Sequence, residues 1–218
     1  MKVSKVNVYV VETGSYRPVV VEVLTDEGVS GIGEAAVGFG IGANAAATMA
    51  ADLADAFLIG KDPFRIMDFW NDCYYDTFWG KGAGAIFYAG VSALEMALWD
   101  LKGKALKIPV YEFLGGKQRD VLQVYANDWC FEHSDPSDLA RRATEVVGEG
   151  YRAIKLYPLG KVGEGSTVVK HIKNREVCRT EEKRCLEAVR AVRTAIGDDV
   201  ELLIDVTAEG TPDMMIRI

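Results

Sequence analysis

Two short segments of this chain read as strands that end in groups able to do chemistry. Residues 153–158, AIKLYP, place Lys155 and Tyr157 two positions apart, and residues 201–206, ELLIDV, put Asp205 at the end of an otherwise apolar run. Side chains two apart on a strand share a face, so the ammonium and the phenol point the same way. Ligands bind at the carboxyl ends of parallel strands, both in open α/β sheets and in barrels. If these two strands are parallel neighbours, Lys155, Tyr157 and Asp205 face one crevice.

The surrounding pattern makes them parallel. After Gly115-Gly116 the chain alternates strand and helix. Val121–Ala126 reads as a short apolar strand. Asp135-Pro136 then opens a helix bearing Leu139, Ala143 and Val146 on one face, and Gly150 stops it. Ala153–Tyr157 is the next strand. Beyond an irregular polar stretch, Thr180 caps a helix with Cys185, Leu186, Val189, Val192 and Ile196 at helical steps. Val200–Val206 is a third strand, and Thr211-Pro212 opens another helix. Such repetition implies parallel strands with right-handed crossovers. Strands buried on both faces should be apolar throughout, which makes Asp205 the informative exception. A (β/α) barrel takes about 250 residues, so this stretch holds three of its eight strands and the barrel is incomplete in this chain.

The first half reads differently. Val3–Val11, Pro18–Thr25 and Ser30–Glu34 form an expected antiparallel meander, turned by TGSYR and by Asp26-Glu27-Gly28. Ala43–Leu58 is an Ala-rich helix. Asp62-Pro63 is expected to cap a second helix through Phe64, Met67 and Trp70. Ile86 to about Leu106 is the longest helix, with Phe87, Leu94, Leu98, Leu101 and Ala105 at helical spacing. The fold expected is an α+β capping domain, residues 1–118, followed by the first units of a modified TIM barrel, residues 119–218.

Composition narrows the partners. The chain has 218 residues, is 49% hydrophobic and carries a net charge of −7, with basic residues scattered among acidic ones. No electrostatic footprint for nucleic acid or an anionic membrane is present, and a small-molecule partner is expected. The four cysteines contain no CxxC pair, and the two histidines lie at no metal-finger spacing to them, so the thiols read as reduced. No apolar run reaches the length needed to span a bilayer, and a cytoplasmic location is expected.

Four passages carry a family resemblance: ALEMALWDLKGKALKIPVYEFLGG (93–116), the early strands ending in GIGEA, the strand end AIKLYP, and ELLIDV before a helix. Together, and in this order, the chain resembles the enolase superfamily, in its mandelate racemase/muconate lactonizing enzyme branch. The resemblance implies a bound Mg²⁺, removal of a proton α to a substrate carboxylate, and stabilisation of an enediolate. Such a proton is a very weak acid, so preorganised positive charge must meet the dianion. Asp205 matches the family's first metal ligand; its plainer reading is a cap for the following helix. Lys155 matches the first lysine of a Lys-x-Lys strand end, where the second is the base. Here Tyr157 stands in the base's place, and a phenol ordinarily ionises near pH 10, about three units above neutrality.

The form KLYPLG looks most like sugar-acid dehydratase relatives. Several of those carry a histidine two positions after the aspartate ligand, where it expels a β-hydroxyl. Thr207 stands there and can hydrogen-bond a substrate hydroxyl, but it cannot replace that histidine as an acid. The resemblance also implies two capping-domain loops that select substrate, by position Gly14–Arg17 and Gly38–Gly42, with Arg17 able to clamp a distal polar group. The expected whole is a Mg²⁺-dependent dehydratase for a sugar acid, active as a homo-oligomer. The alternatives are a racemase or epimerase of the same superfamily, or an inert homologue serving as a binding or assembly module.

Three decoys are set aside. Gly38-Phe39-Gly40-Ile41-Gly42-Ala43 satisfies GxGxxG/A, yet a meander precedes it instead of the first strand of a βαβ unit. Tyr74, Tyr75, Phe78 and Trp79 read as packing aromatics. His133 reads as a solvated loop histidine.

Overall fold

The computed structural model describes residues 1–14, 16–38, 41–159, 161–162, 169–170, 179–206 and 211–217. The chain divides into two compact units, Met1–Asp120 and Val121–Ile218.

In the first unit, β1 (Val3–Val10), β2 (Val19–Thr25) and β3 (Ser30–Ala35) form an antiparallel sheet in that order. The alternation of β2 fixes its facing: Val19, Val21, Val23 and Thr25 are buried, and the residues between them are half-buried. β1 is bulged between Val3 and Lys5, where its register to β2 shifts. Helices α1 (Ala43–Phe57) and α3 (Ala85–Leu106) cover the buried face through Ala46, Ala50, Leu53, Leu94, Leu98 and Leu101.

β3 turns Gly31, Gly33 and Ala35 inward. That row of small residues lets α3 lie directly on the strand. A methyl group at Gly31 would run into the Ala97 carbonyl oxygen, and one at Gly33 into that of Ala93. The Asp100 carboxylate of α3 accepts the Ile32 backbone N–H at 2.8 Å, which satisfies a donor on an edge strand. α3 ends at Lys107, in the left-handed conformation at φ 58°, with the Ile108 N–H returned to the Gly103 carbonyl at 3.0 Å.

The helix expected from Asp62-Pro63 starts later, as α2 (Ile66–Asn71). The Asp62 carboxylate accepts the Phe64 N–H at 2.9 Å, two residues on, and its carbonyl accepts that of Arg65. This closes a tight turn, and Arg65 at ψ 57° is outside the helical region. A π-helical turn (Asp72–Asp76) and a 3₁₀ turn (Gly80–Gly82) follow α2, and a four-residue helix, α4 (Val110–Phe113), follows α3.

The second unit is built on a parallel pair, β4 (Ala153–Leu156) and β7 (Glu201–Ile204), in register Lys155↔Leu203. Helices α5 (Pro136–Gly148) and α6 (Arg179–Ile196) pack Leu139, Ala143, Val146, Ala188 and Val192 against Ile154 and Leu156. Asp135 caps α5 as its sequence requires, accepting from the Ser137 and Asp138 backbone amides, with Pro136 at the first helical position. Between β4 and α6 lies a short antiparallel pair, β5 (Lys161–Val162) and β6 (Val169–Lys170), in the stretch read as irregular. The last element is α7 (Pro212–Arg217).

Val121–Ala126 does not form the expected strand. Only Ala126 bridges β4, opposite Ile154, with Ala126 N–H to Ala153 O and Lys155 N–H to Ala126 O both at 2.9 Å. In that register most of the earlier residues lie opposite the turn that ends α5, where no strand is available. No helix among the described residues is long and apolar enough to cross a membrane.

Candidate functional site

Lys155 and Asp205 meet where β4 and β7 end. Asp205 is one residue beyond β7, and its N–H donates to the Leu156 carbonyl at 3.0 Å, which continues the parallel ladder past the strand. Lys155 Nζ then lies 3.2 Å from Asp205 Oδ2, with the two side chains 20% and 33% exposed. The same ammonium stands 5.6 Å from the centre of the Tyr125 ring. Near the ends of three successive segments, Tyr125, Lys155 and Asp205 thus place an aromatic face, a cation and a carboxylate together.

Tyr157, one residue beyond β4, is half-buried, with its ring edge-on to Phe131 at 6.0 Å. Cys130 is buried beside it. Burial pushes its thiol above the ordinary range, opposed by hydrogen bonding from the Tyr157 backbone. The turn that carries Cys130 and Phe131 starts at Asp128, a non-glycine residue at φ 63°. His133, read as a solvated loop residue, is 22% exposed and places Nδ1 3.0 Å from Asp138 Oδ2. Arg141, and then His133, hold the Asp138 carboxyl below its usual range.

Two contributors are not marked by motif or periodicity. Tyr125 is expected from the sequence only as a strand residue, and its position at the end of the first strand-like run is the signal that points to it. Arg184, on α6, donates from its guanidinium to the Pro158 and Ser134 carbonyls, a role that helical periodicity does not reveal.

Arg17 belongs to the first unit. Its Nε pairs with Glu12 at 2.8 Å, its Nη2 reaches Asn44 Oδ1 at 3.3 Å, and its backbone N–H donates to Gly38 O. Thr207 lies outside the described residues, as do Cys178, His171 and part of the Gly38–Gly42 loop.

A hard divalent cation such as Mg²⁺ takes about six oxygen ligands. Asp205 offers suitable oxygens, but one carboxylate beside an ammonium is too small a donor set. Among the described residues no group of three or more His, Cys, Asp or Glu side chains could hold a metal ion. By themselves these residues do not make a Mg²⁺ site. A groove of about 810 Å³, lined by Gln123, Glu149, Tyr151, Arg152, Asp199 and Glu201, opens where β4 and β7 begin. It is at the opposite end of the strands from Lys155 and Asp205, so its size says nothing about their chemistry.

An α+β unit followed by strand–helix units is the order of elements expected for the N-terminal part of an enolase-superfamily protein, and similarity to known proteins establishes the family. Residues 4–115 match the family of the mandelate racemase/muconate lactonizing enzyme N-terminal domain, and the chain belongs to that family. It is 42% identical over 152 residues to the D-gluconate dehydratase of Thermoproteus tenax, covering 70% of this chain and 28% of that protein. Against the D-mannonate dehydratase of a Sphingomonas species it is 33% identical over 211 residues, covering 89% and 50%. A solved enolase-superfamily structure from Salmonella Typhimurium superposes with a TM-score of 0.91 at 34% identity, covering 99% of this chain and 57% of that one. The chain therefore spans between 28% and 57% of the length of these relatives.

Proposed function

We propose that this chain belongs to a Mg²⁺-dependent sugar-acid dehydratase, with residues 1–118 as its capping domain and 119–218 opening its barrel. The observation that carries the reading is the 3.2 Å approach of Lys155 to Asp205 at the carboxyl ends of two parallel strands. The dehydratase names of the Thermoproteus and Sphingomonas relatives support the substrate class.

In this reading the Lys155 ammonium neutralises the substrate carboxylate, which makes the C2 proton more acidic. Tyr157, in the base's position, faces C2. Removal of that proton and departure of the C3 hydroxyl as water leave an enol, which becomes a 2-keto-3-deoxy acid. Asp205 would offer one carboxylate oxygen toward Mg²⁺, whose charge would stabilise the anionic intermediate.

The test is a panel of D-gluconate, D-mannonate and other aldonates offered with Mg²⁺ to the protein that carries this chain. Appearance of a 2-keto-3-deoxy acid is expected, and so is its loss in Asp205→Ala. Undiminished turnover in Asp205→Ala would remove the metal assignment. Exchange of the C2 proton with solvent without loss of water would make the protein an epimerase instead.

The small donor set, one carboxylate among the described residues, favours one further reading, a catalytically inert binding or assembly module. Tight Mg²⁺ binding by the 218-residue chain in calorimetry would contradict it.

A further inference from the structure

Arg184, on the first turns of α6, has a side chain only 20% exposed. Its Nη2 donates to the Pro158 carbonyl at 2.8 Å and its Nη1 to the Ser134 carbonyl at 3.0 Å. Nε and Nη2 also donate to Glu181 Oε1, at 2.8 and 2.6 Å, which anchors the guanidinium itself. Pro158 directly follows Tyr157. Ser134 follows the turn that carries Phe131, whose ring meets that of Tyr157 edge-on. One guanidinium therefore holds both the main chain beside the phenol and the segment that supplies its ring neighbour. Cys185 Sγ adds a second bond to the Pro158 carbonyl at 3.1 Å.

We propose that Arg184 is a positioning residue for Tyr157: by tying the exit of β4 to the exit of the preceding segment, it sets where the phenol sits. The proposal rests on the reading of Tyr157 as part of the site. An arginine suits the task because its planar fork reaches two divergent carbonyls at once, whereas a lysine is a point charge that reaches one. Misplacing a reacting group by about 1 Å reduces rate by about 100-fold, so the effect belongs in kcat.

The test uses the 218-residue chain labelled with ¹³C at tyrosine Cζ, with the Tyr157 signal assigned through Tyr157→Phe. In Arg184→Met the Tyr157 signal should move or broaden while circular dichroism and the Tyr9 signal stay as in the parent. Arg184→Lys should recover less than half of that change. A folded Arg184→Met chain with an unmoved Tyr157 signal overturns the proposal. Should Arg184→Met fail to fold, Glu181→Leu decides, since it removes the acceptor that anchors the fork but keeps the cation: a moved Tyr157 signal supports positioning, and an unmoved one overturns it. In protein that turns over a sugar acid, Arg184→Lys should lower kcat by about 10- to 100-fold with KM within about twofold. A loss confined to KM overturns the proposal. A moved Tyr157 signal in a protein inactive on every aldonate leaves positioning intact and sinks only the dehydratase reading.

Discussion

Lys155 Nζ and Asp205 Oδ2 lie 3.2 Å apart although neither residue is the other's partner in the sheet; the register pairs Lys155 with Leu203. The contact arises because Asp205 continues the ladder one step beyond β7 and projects back over β4. With both groups shielded from solvent over most of their surface, the pair should show real coupling. A double-mutant cycle with Lys155→Met and Asp205→Asn, read by urea unfolding, should give about 1 kcal/mol. Additive single effects would mean that the two side chains are independent.

Glu182 is a buried carboxylate on α6 that accepts from Arg217 of α7 at 2.7 and 3.1 Å and from Arg179 at 3.1 Å. Arg217, before all other groups, holds it below the usual carboxylate range. A carboxyl whose folded pKa is depressed stabilises the fold above its unfolded pKa, and that stabilisation fades as pH falls through the folded value. Protection of α7 against hydrogen exchange, taken relative to the intrinsic amide rate at each pH, should therefore fall in acid, and Glu182→Gln should remove most of that pH dependence. Unchanged acid sensitivity in the variant would assign it to another group.

Gly33 faces the Ala93 carbonyl with no room for a side chain. The neighbouring atoms are helix backbone and cannot rotate aside. Gly33→Ala should destabilise the chain by about 1 to 3 kcal/mol in denaturant unfolding, through separation of β3 from α3. A neutral result would show that the helix can shift at little cost.

Cys73 is buried in the core of the first unit, and burial pushes its thiol up to about 12. At pH 8 it remains a protonated, inaccessible thiol. Iodoacetamide should label it only after denaturation, as followed by mass spectrometry of the peptide. Rapid labelling in the native protein would contradict this burial.

Asp135 caps α5, and hydrogen bonds from the Ser137 hydroxyl and then from the Asp138 and Ser137 amides lower its pKa. Asp135→Ala should lower Tm, whereas Asp135→Asn should keep most of the stability because its side-chain oxygen still accepts. Equal losses in the two variants would point to charge instead of capping.

Local chemistry was legible in the residues themselves. The alternating valines of β2, the Asp135-Pro136 helix start and the helical spacing in α3 each depend on neighbours a few positions away, and each produced the expected element. The family passages around residues 93–116 and the Asp205 strand end were equally readable. Three features were not. Whether Asp62-Pro63 opened a helix or a turn depended on which amide the Asp62 carboxylate accepted. Whether 121–126 became a strand depended on the register set by Ala126 and Ile154. That Arg184 serves the exit of β4 depended on α6 packing across that strand. Periodicity and capping act within a few residues along the chain. Which carbonyl, carboxylate or ring a side chain meets is set by register and packing between segments far apart in sequence, so only the tertiary structure decided it.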